Sequence, residues 1–119
     1  MKIHLALLEM ITQEFSDQLV GDVEMKQDAL LFALDNGVEM EIRYPDPQHY
    51  SFKWLWGEAE CEIDTAPLYP DLASFPRHFH GPNGEVQPDI WTSMDKTPLS
   101  NVRDLLRALM EQPLLTGEM

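Results

Sequence analysis

The sequence predicts a single α+β domain at residues 1–113, followed by a flexible tail at 114–119. We expect an N-terminal helix, an antiparallel meander of four or five strands, a long loop rich in proline and histidine, and a C-terminal helix. Three observations predict this order. Apolar residues recur at helical spacing near both ends of the chain, and they alternate with polar residues between 38 and 63. Between 64 and 97 prolines are frequent and the apolar residues have no regular spacing.

The first predicted element is an amphipathic helix that ends near Gly21. Its apolar positions lie three or four residues apart, at Leu5, Leu8, Ile11, Phe15 and Leu19. The apolar start is like that of a signal peptide, but acidic residues follow without a small-residue cleavage site. We therefore interpret it as a helix of the mature protein. No apolar run is as long as the roughly 18 residues that a membrane-spanning helix needs, and we expect a cytoplasmic protein without membrane contact.

The next segments predict the meander. An apolar run at 30–34 precedes Asn36-Gly37, a dipeptide that favours a tight hairpin because both residues tolerate positive φ. Apolar and polar residues then alternate from Val38 to Tyr44, as in a strand with one buried face. Two further alternating segments place apolar side chains on one face each: Tyr50, Phe52, Trp54 and Trp56 in the first, and Ala59, Cys61 and Ile63 in the second.

The single cysteine, Cys61, excludes a disulfide within the chain. Negative charge on Glu60 and Glu62 disfavours its thiolate, so we expect Cys61 to pack inward and not to act as a nucleophile.

The last part of the chain predicts a packed loop and a helix. The stretch 64–97 holds too many aromatic and apolar residues for disorder, so we expect it to pack over the sheet. The helix begins at Thr97 or Ser100, with Pro98 tolerated in its first turn, and ends before Pro113. Its apolar face is expected to contain Val102, Leu105, Leu106, Leu109 and Met110.

The net charge of −13, from 21 acidic and 8 basic residues, restricts the partners. A surface this negative repels nucleic-acid backbones and anionic membranes and attracts a basic partner. Solubility or a saline source would also explain the charge.

His78 and His80 are the candidate functional residues. Residues two apart in an extended chain point the same way, so both imidazoles can face one point. They could bind a divalent metal if Asp64, Asp71 or Glu85 completed the site. Alternatively, one could act as acid and the other as base in phosphoryl transfer, with Arg77 stabilising the developing charge. The plainer interpretation is that both hydrogen-bond the loop backbone. No motif for an organic cofactor is present, and none is predicted.

Several short motifs stand out in this half of the chain: Tyr50-Ser51-Phe52-Lys53-Trp54, Asp64-Thr65-Ala66-Pro67, Pro70-Asp71-Leu72, Phe75-Pro76, His78, His80-Gly81 and Pro88. Over about residues 48–110 these motifs resemble those of the TumE toxin family. The family pattern has an asparagine at Thr65 and further histidines at Leu68, Tyr69 and Arg77, so the chain resembles a diverged member.

The resemblance implies a growth-inhibiting toxin that is neutralised by a basic, DNA-binding helix-turn-helix antitoxin. Ribonuclease action is what such toxins would suggest, and Asp64, Arg77, His78 and His80 are then the candidate site. Two alternatives stay open: a non-enzymatic acidic interaction module that kept the fold, and a small metal-binding hydrolase using His78 and His80. We expect a monomer or a weak dimer.

Overall fold

The structure is a computed structural model that describes residues 2–115. Two helices, α1 (Lys2–Glu14) and α2 (Pro98–Glu111), pack against one face of a seven-stranded antiparallel sheet. The strands lie side by side in chain order: β1 (Leu19–Lys26), β2 (Ala29–Leu34), β3 (Val38–Asp46), β4 (His49–Trp56), β5 (Ala59–Asp64), β6 (His78–His80) and β7 (Val86–Gln87). The predicted α+β class is confirmed, with more strands than expected.

The hairpin between β2 and β3 forms where the Asn-Gly dipeptide predicts it. Only Gly37 has a positive φ, of 99°, whereas both central residues were expected to adopt one. The Gly37 N–H donates to the Leu34 carbonyl at 3.0 Å, and the Asn36 side chain accepts from the Val38 N–H at 3.2 Å. The loop is therefore a three-residue turn in which glycine alone takes the left-handed conformation.

One face of the sheet forms the core together with the two helices. Alternation along the strands places the larger apolar side chains on this face, including Phe32, Ile42, Phe52, Trp54 and Ile63. Cys61 is buried on the same face, as predicted, and burial raises the pKa of its thiol to about 11.

The helix α1 differs from its prediction in length and in its buried face. It ends at Glu14, and Leu19 begins β1 by pairing with Leu34, so Gly21 lies in a strand. Gly21 has φ 80° within a bulge of β1. The helix buries His4, Leu7, Met10 and Ile11, whereas Leu5 is 55% exposed.

The stretch 64–97 contains two short strands, where a loop was expected. Its packing over the sheet includes Trp91, whose ring centroid lies 5.1 Å from that of Phe79. A buried polar network fixes the segment: Arg77 donates to both the backbone and the side chain of Asp89, and Asp89 accepts from Thr92. Thr92 in turn hydrogen-bonds the Tyr50 hydroxyl at 2.8 Å.

The helix α2 begins as predicted, because the Thr97 side chain accepts from the Ser100 N–H and caps it. Val102, Leu105, Leu106 and Leu109 are fully buried. Beyond the helix, Leu115 is buried and the Trp54 indole donates to the Pro113 carbonyl at 2.7 Å. The rest of the predicted tail, 116–119, lies outside the described residues.

Neither helix among residues 2–115 combines the length and the apolar character that crossing a membrane would require.

Candidate functional site

The candidate residues lie on the sheet face opposite to the helices. β5 and β6 pair antiparallel, with Glu62 opposite His80, Ile63 opposite Phe79 and Asp64 opposite His78. Because Ile63 and Phe79 point into the core, their neighbours point to the other face. We call this surface the open face, since neither α1 nor α2 packs on it.

Asp64, His78 and His80 form a compact cluster at one end of the open face. One potential ligand atom from each side chain lies within 4.8 Å of the other two. The imidazole centroids of His78 and His80 are 4.7 Å apart, with their planes at 86°. His78 is fully buried, whereas His80 and Asp64 are partly exposed. The cluster is therefore reachable from solvent on the His80 side.

The hydrogen bonds of His78 define its tautomer. Nδ1 lies 3.2 Å from the Pro76 carbonyl, which can only accept, so Nδ1 carries a hydrogen. Nε2 lies 3.0 Å from Asp64 Oδ1, yet the geometry is not that of a hydrogen bond, and Nε2 has no other partner. Asp64 Oδ1 itself accepts from the Ala66 N–H at 2.9 Å, which is the turn expected of Asp64 before Thr and Pro.

Tyr69 closes one side of the cluster. Its ring makes edge contacts with both imidazoles, at centroid distances of 4.8 Å to His78 and 6.0 Å to His80. The loop after β5 thus reaches the open face and places an aromatic ring beside both imidazoles.

Glu62 lies beside the cluster, opposite His80 on the paired strand, and is not among the residues predicted from the sequence. Burial, followed by the charge of Asp64 and a proton shared with it, raises the pKa of Glu62 to about 7, while Lys53 opposes the shift. The signal was present in the sequence, since residues two apart on a strand share a face and Glu62 precedes Asp64 by two. Burial and the nearby His78 lower the pKa of His80, against a smaller opposing effect of Asp64.

The structure does not bring the other predicted residues into the cluster. Arg77 points away, and its guanidinium donates to Asp89 and to the Thr92 carbonyl. The Glu85 carboxylate folds over Gly81 and accepts from the Asn83 N–H at 3.0 Å. Asp71 is exposed and lies outside the group of potential ligands.

The remainder of the open face is a shallow acidic depression of about 520 Å³. Its apolar floor includes Leu31, Ala33 and Leu55, and Lys53 is the basic residue that lines it. Five carboxylates surround the floor: Asp22, Glu24, Glu39, Glu41 and Glu60.

Comparison with known proteins gives one match. The model of a family described as Toxin TumE matches residues 7–113, which include every strand, α2 and the cluster. No curated protein and no solved structure matches the chain.

Proposed function

The chain belongs to the TumE toxin family, and from that premise we propose that it is a ribonuclease toxin whose site is formed by Asp64, His78 and His80. One observation carries the proposal: the three side chains approach one another on a face that the helices leave open. Family membership supports a toxin of a toxin–antitoxin pair, and the cluster supplies the groups that phosphodiester cleavage uses.

In the proposed chemistry His80 transfers protons, and the other two side chains position it. Imidazoles can take a proton from an attacking hydroxyl and return one to a leaving oxygen. His80 is the partly exposed imidazole and contacts the RNA in this proposal. The buried His78 and the carboxylate of Asp64 lie beside it and position its ring. Arg77 has no catalytic role here, since its guanidinium is committed to Asp89 and Thr92.

An RNA cleavage assay tests the ribonuclease proposal. We expect the purified chain to cleave RNA and His80→Ala to slow cleavage about 100-fold or more, the usual range for a lost acid or base. His49→Ala is the matched control, because His49 is exposed, pairs with Asp46 and is not among the potential ligands of the cluster. An inactive wild-type chain, or equal rates for wild type and His80→Ala, would contradict the proposal.

We further propose that the antitoxin is a basic, DNA-binding helix-turn-helix protein and that it docks on the open face. Charge complementarity supports this docking, because five carboxylates surround an apolar floor there. An occupant of the depression would lie beside the cluster on the same face, so docking would also restrict access to His80.

Charge reversal tests the docking surface. Glu39→Lys with Glu60→Lys reverses the charge at two exposed positions. Both residues pair with Leu55, which lies between them on β4. When this variant is co-expressed with its cognate antitoxin, we expect the antitoxin to fail to neutralise its toxicity. Glu9→Lys with Glu111→Lys makes the same charge change on the exposed surface of the helices. Resistance in both variants, or in neither, would contradict docking on the open face.

A second candidate function is a non-enzymatic toxin that acts by binding a basic target through the open face. The acidic depression favours it, and complete burial of His78 leaves His80 as the imidazole exposed for chemistry. Toxicity that survives His80→Ala but disappears in Glu39→Lys with Glu60→Lys would support this candidate over the ribonuclease.

A further inference from the structure

We propose that Asp64, His78 and His80 bind one divalent transition-metal ion, with zinc as the ion that tests the site. The inference rests on the function proposed above and changes one role in it: with zinc bound, His80 would be a ligand, and water in the open position of the ion would take the proton in its place. Zinc sites of enzymes commonly combine two imidazoles with one carboxylate and leave a further position for water or substrate.

The unpartnered atom of His78 is the first argument. Nδ1 carries a hydrogen because it faces the Pro76 carbonyl, so in the neutral tautomer Nε2 has a lone pair, and this atom lies 3.0 Å from Asp64 Oδ1. Two electron-rich atoms at this distance repel each other unless a cation lies between or beside them. Nε2 is buried and has no hydrogen bond in the structure.

The geometry favours a metal ion over a proton as that cation. A proton shared by Nε2 and Asp64 would lie along a hydrogen bond, as it does in the exposed pair of His49 Nδ1 with Asp46 Oδ1 at 2.9 Å. The Asp64 oxygen lies off that line. Two ligands of one tetrahedral zinc ion are about 3.4 Å apart, each with its lone pair directed at the ion and not at the other ligand.

The position of His80 completes the set. Its ring nitrogen lies within 4.8 Å of the other two ligand atoms, and its partly exposed side chain can turn to shorten that distance. The Pro76 carbonyl supplies the second partner that a metal-bound histidine usually has, through the Nδ1–H of His78. All three ligands stand on paired strands, which fixes their relative positions.

A bound ion would also explain how a chain of net charge −13 could bind the negatively charged phosphodiester group of RNA. Arg77 pairs with Asp89 and Arg103 pairs with Glu14 on the helices, so neither guanidinium lies free beside the cluster. A divalent cation at Asp64 would offset the local negative charge and bind a phosphate oxygen.

Zinc binding by the untagged full-length chain tests the inference. The chain is stripped with EDTA, dialysed and titrated with zinc chloride, and both the bound stoichiometry and the thermal unfolding midpoint are measured. We expect native mass spectrometry to find one zinc ion per chain and the midpoint to rise, with the same result for His49→Ala. Asp64→Asn and His80→Ala should remain folded by circular dichroism and lose both effects. The inference would be overturned if the wild-type chain bound no zinc, or if Asp64→Asn and His80→Ala both bound as much zinc as the wild-type chain.

The same variants separate this inference from the proposed function. If the wild-type chain binds no zinc but cleaves RNA, and His80→Ala abolishes cleavage, the metal site is overturned while the ribonuclease proposal stands. If one zinc ion binds at the cluster but the zinc-loaded chain neither cleaves RNA nor arrests growth, the metal site stands and the proposed function fails.

Discussion

At the scale of single residues, the cluster joins two histidines of β6 to one carboxylate at the end of β5. Alternation along an extended chain was enough to place His78 and His80 on one face. The sequence did not show which of Asp64, Asp71 and Glu85 lies beside the two imidazoles. That depends on the pairing of β5 with β6, and an irregular stretch of the chain separates these two strands. Glu62 was missed for the same reason, since its alternation with Asp64 was visible but its proximity to His80 was not.

Arg77 illustrates how a residue type leaves more than one role open. Its guanidinium compensates Asp89, whose side chain is fully buried. Because Arg77→Ala would leave that charge buried without a partner, we expect unfolding free energy to fall by about 3–5 kcal/mol in denaturant titrations. Arg43→Ala removes an exposed pairing with Asp28 and should cost less than about 1 kcal/mol. Equal losses for the two variants would contradict a structural role for Arg77.

His4 makes stability depend on pH. Its buried Nε2 accepts from the Tyr44 N–H at 3.1 Å, and burial is the main cause that lowers its pKa below 6.5. The folded state therefore binds the proton less readily than the unfolded state does. Stability should be complete above about pH 6.5 and should fall as the pH drops through the folded pKa. In thermal unfolding between pH 7 and pH 5, His4→Gln should weaken this dependence and His49→Gln should not. An unchanged pH dependence in His4→Gln would count against the assignment.

At the scale of elements, strands with a clear period of two were predicted well, whereas the first helix was predicted with a different end and a partly different buried face. Leu5, Leu7 and Leu8 give α1 two possible apolar faces, and the spacing alone did not choose between them. Docking on the sheet selected the face that contains Leu7 and Ile11. β6 and β7 are only three and two residues long, too short for a period to be recognised.

The two leucines of α1 provide a matched test of that assignment. Leu7 is fully buried, so Leu7→Ala should lower unfolding free energy by about 2–5 kcal/mol. Leu5 is 55% exposed, and Leu5→Ala should change it by about 0.5 kcal/mol or less. Chemical denaturation measures both values. A larger loss for Leu5→Ala would mean that the helix buries the face predicted from the sequence.

At the scale of the whole molecule, the sheet leaves an edge at β1 that could pair with another chain. The edge is interrupted by the bulge at Gly21 and bears Asp22, Glu24 and Lys26, features that oppose edge-to-edge association. Repulsion at a net charge of −13 acts in the same direction. We therefore expect sedimentation to find a monomer or a weak dimer in the absence of the antitoxin. A large stable assembly would contradict this expectation.

The central claim is that the cluster of Asp64, His78 and His80 carries the toxin's activity, and growth of cells that express the chain alone tests it most directly. Wild type and His49→Ala should arrest growth. His80→Ala, and His78→Ala with His80→Ala, should permit growth at matched protein levels. Because His78 is buried, His80→Ala alone is the variant that keeps the test independent of folding. Undiminished arrest by both cluster variants would contradict the claim.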